Sequence, residues 1–248
     1  MNIEVKLSTS CTSNDSIDEK YFHHGQLDTP YGALYMICSC IEDSHDCIIA
    51  SSITFEIIRR IITSVPSLSA EKLLSSAIRE ANRAVHERFS NNPYMHEIGC
   101  ELVALLLDPD EMNNALIFHV GHSRIYRIWD GNISRITKTH FRVSEESEQG
   151  TIDREVGRGH LEKRMSTHCI GVNEEIEPDI QRVFVQNGDR YIICTSGITD
   201  HVCESEFMRL LDMDSRKYAD SILKRAEEYG AKNSVVQIID ICSSSGSG

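Results

Sequence analysis

A series of short apolar runs, most of them closed by a tight turn, constrains this chain more than any other feature. The runs are Gly32–Cys38, Cys100–Leu107, Ala115–Val120, Arg124–Trp129, Asn132–Ile136, Ile180–Val185, Arg190–Cys194 and Ser234–Cys242. Each has strand length and is rich in β-branched or large apolar side chains. Asp108-Pro109-Asp110, Asp130-Gly131 and Asn187-Gly188-Asp189 supply turn chemistry between neighbouring runs, and the Asp-Gly pair marks a two-residue hairpin. Such short connections favour antiparallel pairing over parallel crossovers.

Helical periodicity appears in the gaps. Ile48, Ile49, Ser52, Ile53, Ile57 and Ile61 share one helix face, and Pro66 is expected to close that helix. Leu74, Ile78, Ala81, Val85 and Phe89 form the stripe of a second helix over residues 70–89. Further helices are expected over 204–212 and 215–229. Residues 137–168 are polar and charged and read as a partly helical, mobile, flap-like insertion. Strands grouped with paired helices predict an α+β fold.

Composition narrows the function classes. With 25 Lys and Arg against 38 Asp and Glu, the formal charge is 25 − 38 = −13. That balance argues against nucleic acid and against anionic membrane surfaces as partners. No apolar run reaches the roughly 18 residues of a membrane span, and residues 1–10 lack the apolar core of a secretory signal. The odd number of cysteines, 9, scattered through core-like runs, predicts reduced thiols and a cytoplasmic location. Residues 1–242 are expected to form a single domain and 243–248 a flexible Ser/Gly tail.

Several segments, in order, carry a resemblance. Gly32 to Cys40 is similar to a G-x-L-F-V-V-A-D-G strand, and Leu102 to Leu107 to T-L-V-A-L-L. His119 to Arg127 is similar to H-V-G-D-S-R-x-Y-R, with Asp130-Gly131 following at the same spacing. Glu148-Gln149-Gly150 resembles an E-x-G flap motif, and Thr167 to Asp179 a T-R-A-L-G…P-D stretch. Gly188 to Asp200 resembles G-D-R-x-L-L-C-S-D-G-L-T-D, and Lys232 to Val236 resembles D-N-x-T-V-V. Together they resemble the bacterial type of the protein phosphatase 2C (PPM) family. The resemblance implies a four-layer α-β-β-α sandwich of two antiparallel sheets flanked by helices. It also implies hydrolysis of phosphoserine and phosphothreonine by water bridged between two Mg²⁺ or Mn²⁺ ions.

The residues at the implied ligand positions differ from that pattern. Ser39 and Cys40 stand at the first D-G, Ser196 and Gly197 at the second, and Lys232 and Asn233 at the terminal D-N. His122 stands where the family has an aspartate tied to a third metal. Asp200 survives, and Asp18-Glu19 roughly echoes the N-terminal ligand motif. Two dications about 4 Å apart repel by about 4 kcal/mol even in water, and anionic oxygen must offset that. The main expectation is therefore a pseudophosphatase: a regulatory or scaffold module that binds a phosphoprotein, a kinase or a secretion component, with no catalytic residue and no cofactor. Whether the chain is an enzyme stays open, with the missing ligands weighing against it. The alternative is a divergent metal-dependent serine/threonine phosphatase using Mg²⁺ or Mn²⁺ through Asp18, Glu19 and Asp200. A second alternative is an anion or small-molecule sensor lined by Lys232 and His122.

Other constellations are weaker. Cys38, Cys40, His45 and Cys47 lack a standard zinc spacing. Cys203 and Arg209 match C-x5-R, but the residues between them are acidic and glycine-free, which suits no phosphate cradle. His122 and Ser123 would face opposite ways on an extended chain. Ser39 and Ser196 read as inert fillers, Gly121, Gly131 and Gly197 as turn formers, Glu145–Glu148 as solvated surface and Trp129 as packing.

Overall fold

The computed structural model describes residues 3–12, 22–64, 68–108, 114–138, 168–211 and 213–243. Strict alternation along the strands divides their side chains between two faces. Strand β3 (Gly32–Cys40) turns Leu34, Met36 and Cys38 one way and Tyr35, Ile37 and Ser39 the other. Strand β4 (Cys100–Leu107) sends Cys100, Leu102, Ala104 and Leu106 to the first face and Val103 and Leu105 to the second. With β2 (Phe22–Thr29), β5 (Asn114–Val120) and β8 (Asp179–Phe184) they make an antiparallel sheet ordered β2-β3-β4-β5-β8.

Two helices cover the first face. Helix α1 (His45–Ile62) starts at Ser44, whose Oγ accepts from the Cys47 amide at 3.2 Å. Helix α2 (Ala70–Phe89) starts at Ser69, which caps the Lys72 amide. These caps satisfy amide groups that have no partner within the helix. Leu74, Ile78, Ala81 and Val85 pack with Ile58, Ile62, Leu102 and Phe118 in one buried cluster. Helix α1 ends before residues 65–67, so Pro66 lies outside the described residues.

The second sheet is also antiparallel. Its order is β1 (Ile3–Cys11), β10 (Val235–Ser243), β9 (Arg190–Cys194), β6 (Arg124–Trp129) and β7 (Asn132–Arg135). Strands β6 and β7 are joined through Asp130 and Gly131, both at positive φ (49° and 70°), the backbone that a two-residue hairpin requires. Helices α3 (Ser196–Thr199), α4 (Glu204–Arg209) and α5 (Ser215–Glu228) lie on the outer face, where Ile198, Phe207, Tyr218 and Ile222 pack on Tyr126, Ile192 and Ile238. The inner faces of both sheets meet in a third cluster, with Tyr35, Ile37, Val103 and Leu105 against Ile125, Tyr191, Ile193 and Ile239. The molecule is the four-layer α-β-β-α sandwich that the motifs implied.

Strands β1 and β2 and the short helix α3 have no counterpart in the sequence reading. Both strands carry polar residues such as Lys6, His23, His24 and Gln26, which mask their alternation. Most of the 137–168 flap-like segment and residues 244–248 of the tail lie outside the described residues, while Ser243 ends β10.

One inward position breaks the apolar layer. Gln237 shares its face of β10 with Val235, Ile239 and Ile241 and is fully buried, yet neither side-chain amide atom has a partner among the described residues. An unsatisfied buried polar group costs about 1–3 kcal/mol. Gln237→Met, of similar length, is expected to stabilise the protein by about 1 kcal/mol or more. Urea denaturation would register this as a higher midpoint at unchanged slope, and a lower midpoint would mean that the amide is satisfied.

Candidate active site between the sheets

Three segments far apart in sequence meet at one end of the sandwich. They are the end of β3 with the loop after it, the β9–α3 junction, and the loop leading into β10. They enclose a cleft of about 360 Å³ lined by Ser39, Cys40, Ile41, Glu42, Asp43, Thr195, Ser196, Gly197, Asp200, His201, Gly230, Lys232 and Asn233.

Backbone bonds hold these segments in place. Thr195 is tied to Val235 twice: its amide donates to the Val235 carbonyl at 3.1 Å and its side-chain Oγ1 accepts from the Val235 amide at 3.1 Å. Thr12, at the end of β1, donates its amide to the Ser234 carbonyl at 2.9 Å. Asn233 adopts φ 50°, a left-handed conformation that asparagine tolerates better than most residues. Gly197 lies within helix α3 and is not a turn glycine. A Cβ there would collide with Ser234 Oγ and stand 3.1 Å from the Lys232 carbonyl, so glycine is what lets α3 close on the β10 loop.

Of the residues singled out in the sequence, Ser39, Cys40, Ser196, Gly197, Asp200, Lys232 and Asn233 converge on the cleft. Asp18 and Glu19 lie outside the described residues. His122 stands one layer back and engages Glu101, a residue that the sequence reading passed over as part of an apolar strand.

Glu101 is buried, with its side chain 5% exposed, on the inward face of β4. Its Oε1 accepts from the His122 amide at 3.0 Å and stands 3.4 Å from His122 Nδ1. Its Oε2 accepts from Ser123 Oγ at 2.7 Å, and Ser123 Oγ lies 3.3 Å from Ser39 Oγ. The signal for it was available: a lone glutamate in a run of aliphatics, at the parity of Val103 and Leu105. The expectation that His122 and Ser123 face opposite ways fails because the chain is not extended there. Gly121 has φ +106°, and a Cβ at that position would come within 2.7 Å of Glu101 Cγ. The sharp turn brings both neighbours onto one carboxylate.

Burial alone would raise the Glu101 pKa, but the hydrogen bond and charge of His122 and the bond from Ser123 together outweigh it, and the pKa is lowered. Glu101 is thus ionised at neutral pH. Cys40, by contrast, has its thiol pushed up to about 12, chiefly by burial, which leaves no thiolate at the cleft. Cys203 and Arg209 bracket helix α4 instead of a loop, so C-x5-R forms no cradle here.

The charge of the cleft corrects the sequence argument. Glu42, Asp43 and Asp200 line it beside Lys232, so the cleft does carry anionic oxygen. Still, these residues do not fit the paired-ion arrangement that the family resemblance implies. Ser39, Ser196 and Lys232 offer no carboxylate at the motif positions. Among the described residues no group of three His, Cys, Asp or Glu is placed to hold a metal ion.

No protein-family model matches the chain. Curated relatives do. The chain is 25% identical over 167 residues to the serine/threonine protein phosphatase PstP of Mycobacterium tuberculosis, covering 67% of this chain but only 32% of PstP, so it spans about a third of that relative. It is 25% identical over 177 residues to the serine/threonine phosphatase stp of Listeria monocytogenes, covering 69% of each. Among solved structures, the catalytic domain of PstP in complex with two manganese ions superposes with a TM-score of 0.79 at 20% identity, over 97% of this chain and all of that one. The fold is that of the PPM-type serine/threonine phosphatases, and the chain's homologues are phosphatases of that type. These relatives overturn the expectation of a non-enzymatic pseudophosphatase without a cofactor. They carry phosphatase names, and a structure of the same fold holds manganese. Counting carboxylates only at the motif positions leaves out Glu42 and Asp43, which line the same cleft.

The buried carboxylate gives a prediction with a definite sign. A glutamate whose folded pKa is depressed stabilises the fold above its unfolded pKa, roughly 4.3, and loses that contribution as pH falls through the folded value. Glu101→Gln is expected to cost about 1–3 kcal/mol at pH 7, the scale for disrupting hydrogen bonds to a buried ionised group. Wild type and variant are expected to converge in acid, as pH falls through the depressed folded pKa of Glu101, in thermal or urea unfolding followed across pH.

Proposed function

We propose that the chain is a divergent serine/threonine phosphatase acting on phosphoserine- and phosphothreonine-bearing proteins. The observation that carries this reading is the meeting of three motif segments, around Ser39, Ser196 and Lys232, in one open cleft. The phosphatase names of the relatives support it. Lys232 is the cation of the lining and is suited to a phosphoryl oxygen. Asp200 and His201 are among the lining groups able to hold or pass a proton. As part of the same proposal, residues 1–242 form one domain, the protein works in the cytoplasm, and its macromolecular partner is its phosphoprotein substrate. No helix among the described residues is long and apolar enough to cross a membrane.

The test is phosphate release from a phosphothreonine peptide by the full chain, with Mn²⁺ and then with a chelator. Release in the presence of Mn²⁺ is expected, and Asp200→Asn is expected to lower kcat/KM by about tenfold or more, the scale for one positioned acid–base group. Absence of release by the wild-type protein would sink the reading. Release that is indifferent to both the chelator and Asp200→Asn would place the activity elsewhere.

A further inference from the structure

Ser39 and Glu101 are register partners on β3 and β4 and point to the same inter-sheet face. Between them stands Ser123, 2.7 Å from Glu101 Oε2 and 3.3 Å from Ser39 Oγ. A serine hydroxyl has one proton to give, and an ionised carboxylate only accepts. The Ser123 proton therefore goes to Glu101. The Ser39–Ser123 bond then takes its proton from Ser39, which leaves the remaining lone pairs of Ser39 Oγ for the cleft that Ser39 lines. The other carboxylate oxygen is held by the His122 amide, so the carboxylate is fixed at both ends.

We propose that Glu101 is a positioning residue of the cleft, acting through Ser123 to fix Ser39 as a hydrogen-bond acceptor. The proposal rests on the phosphatase reading for the chemistry that it serves. The partner of Ser39 is a hydrogen-bearing group, either the attacking water or the hydroxyl being released. It is not an ionised phosphoryl oxygen, which has no hydrogen to give. An anionic acceptor thus stands on the strand beside Ser39, one hydroxyl away.

The experiment combines turnover with a measurement that does not need it. For the phosphothreonine peptide, Ser39→Ala, Ser123→Ala and Glu101→Gln are each expected to lower kcat on the order of tenfold, the scale of one well-placed hydrogen bond, with KM changed little. The Ser39→Ala/Glu101→Gln double variant is expected to be no worse than either single one, because both break the same chain. Glu101→Asp is expected to recover part of the loss. Multiplicative losses, or a Glu101→Gln protein with altered stability and wild-type kcat, would overturn the proposal.

Independently of turnover, proton NMR is expected to show slowly exchanging hydroxyl protons on Ser39 and Ser123. The Ser39 signal should be lost in Ser123→Ala and displaced in Glu101→Gln. A wild-type protein showing both protons but no turnover would sink the phosphatase reading and leave the orientation of Ser39 standing. Turnover without a protected Ser39 proton would sink the orientation alone. Should Glu101→Gln not fold, Ser123→Ala carries both readouts, because it breaks the chain without removing the buried charge.

Discussion

The packing of two sheets face to face governs everything else in this molecule. Tyr35, Ile37, Val103 and Leu105 from one sheet meet Ile125, Tyr191, Ile193 and Ile239 from the other, and the helices outside only complete the burial. Toward one end of the same strands the inward positions change character. Ile37 gives way to Ser39, and Val103 to Glu101. Polar groups there are sustained by one another, since each would be costly alone in a layer this dry. The cleft begins where the apolar layer ends.

That arrangement explains how a chain lacking aspartate at its motif positions keeps an acidic cleft. Carboxylates enter from the loop after β3, from the residue after α3, and from the neighbouring strand one hydrogen-bonded layer back. Antiparallel register makes the last of these a direct neighbour, because residues 39 and 101 face each other across the β3–β4 ladder. A buried carboxylate thus stands one strand away from Ser39, linked to it through Ser123. Lys232 adds a cation to the cleft, which distinguishes this lining from one made of carboxylates alone.

Gly121 and Gly197 show the same economy in backbone terms. The first makes a turn in the left-handed region with Glu101 pressed against it, and the second leaves room for the β10 loop against α3. Neither is a surface turn. Each allows a close approach on which the cleft depends, and a side chain at either position would push apart the groups that the site brings together.

Most of the architecture was legible in the chain itself. Alternating apolar strands, an Asp-Gly hairpin and two striped helices follow from local rules, since the period of each run shows which face it must bury. Strands β1 and β2 were not legible, because polar residues such as Lys6, His23, His24 and Gln26 break their apolar pattern. Motif order also brought out Ser39, Ser196, Asp200 and Lys232, and these do line one cleft. Glu101, Glu42 and Asp43 were decided by tertiary structure alone. Whether a carboxylate faces water, a hydrophobic layer or a serine hydroxyl depends on strand register and on the turn at Gly121, and both are set by contacts between residues distant in the sequence.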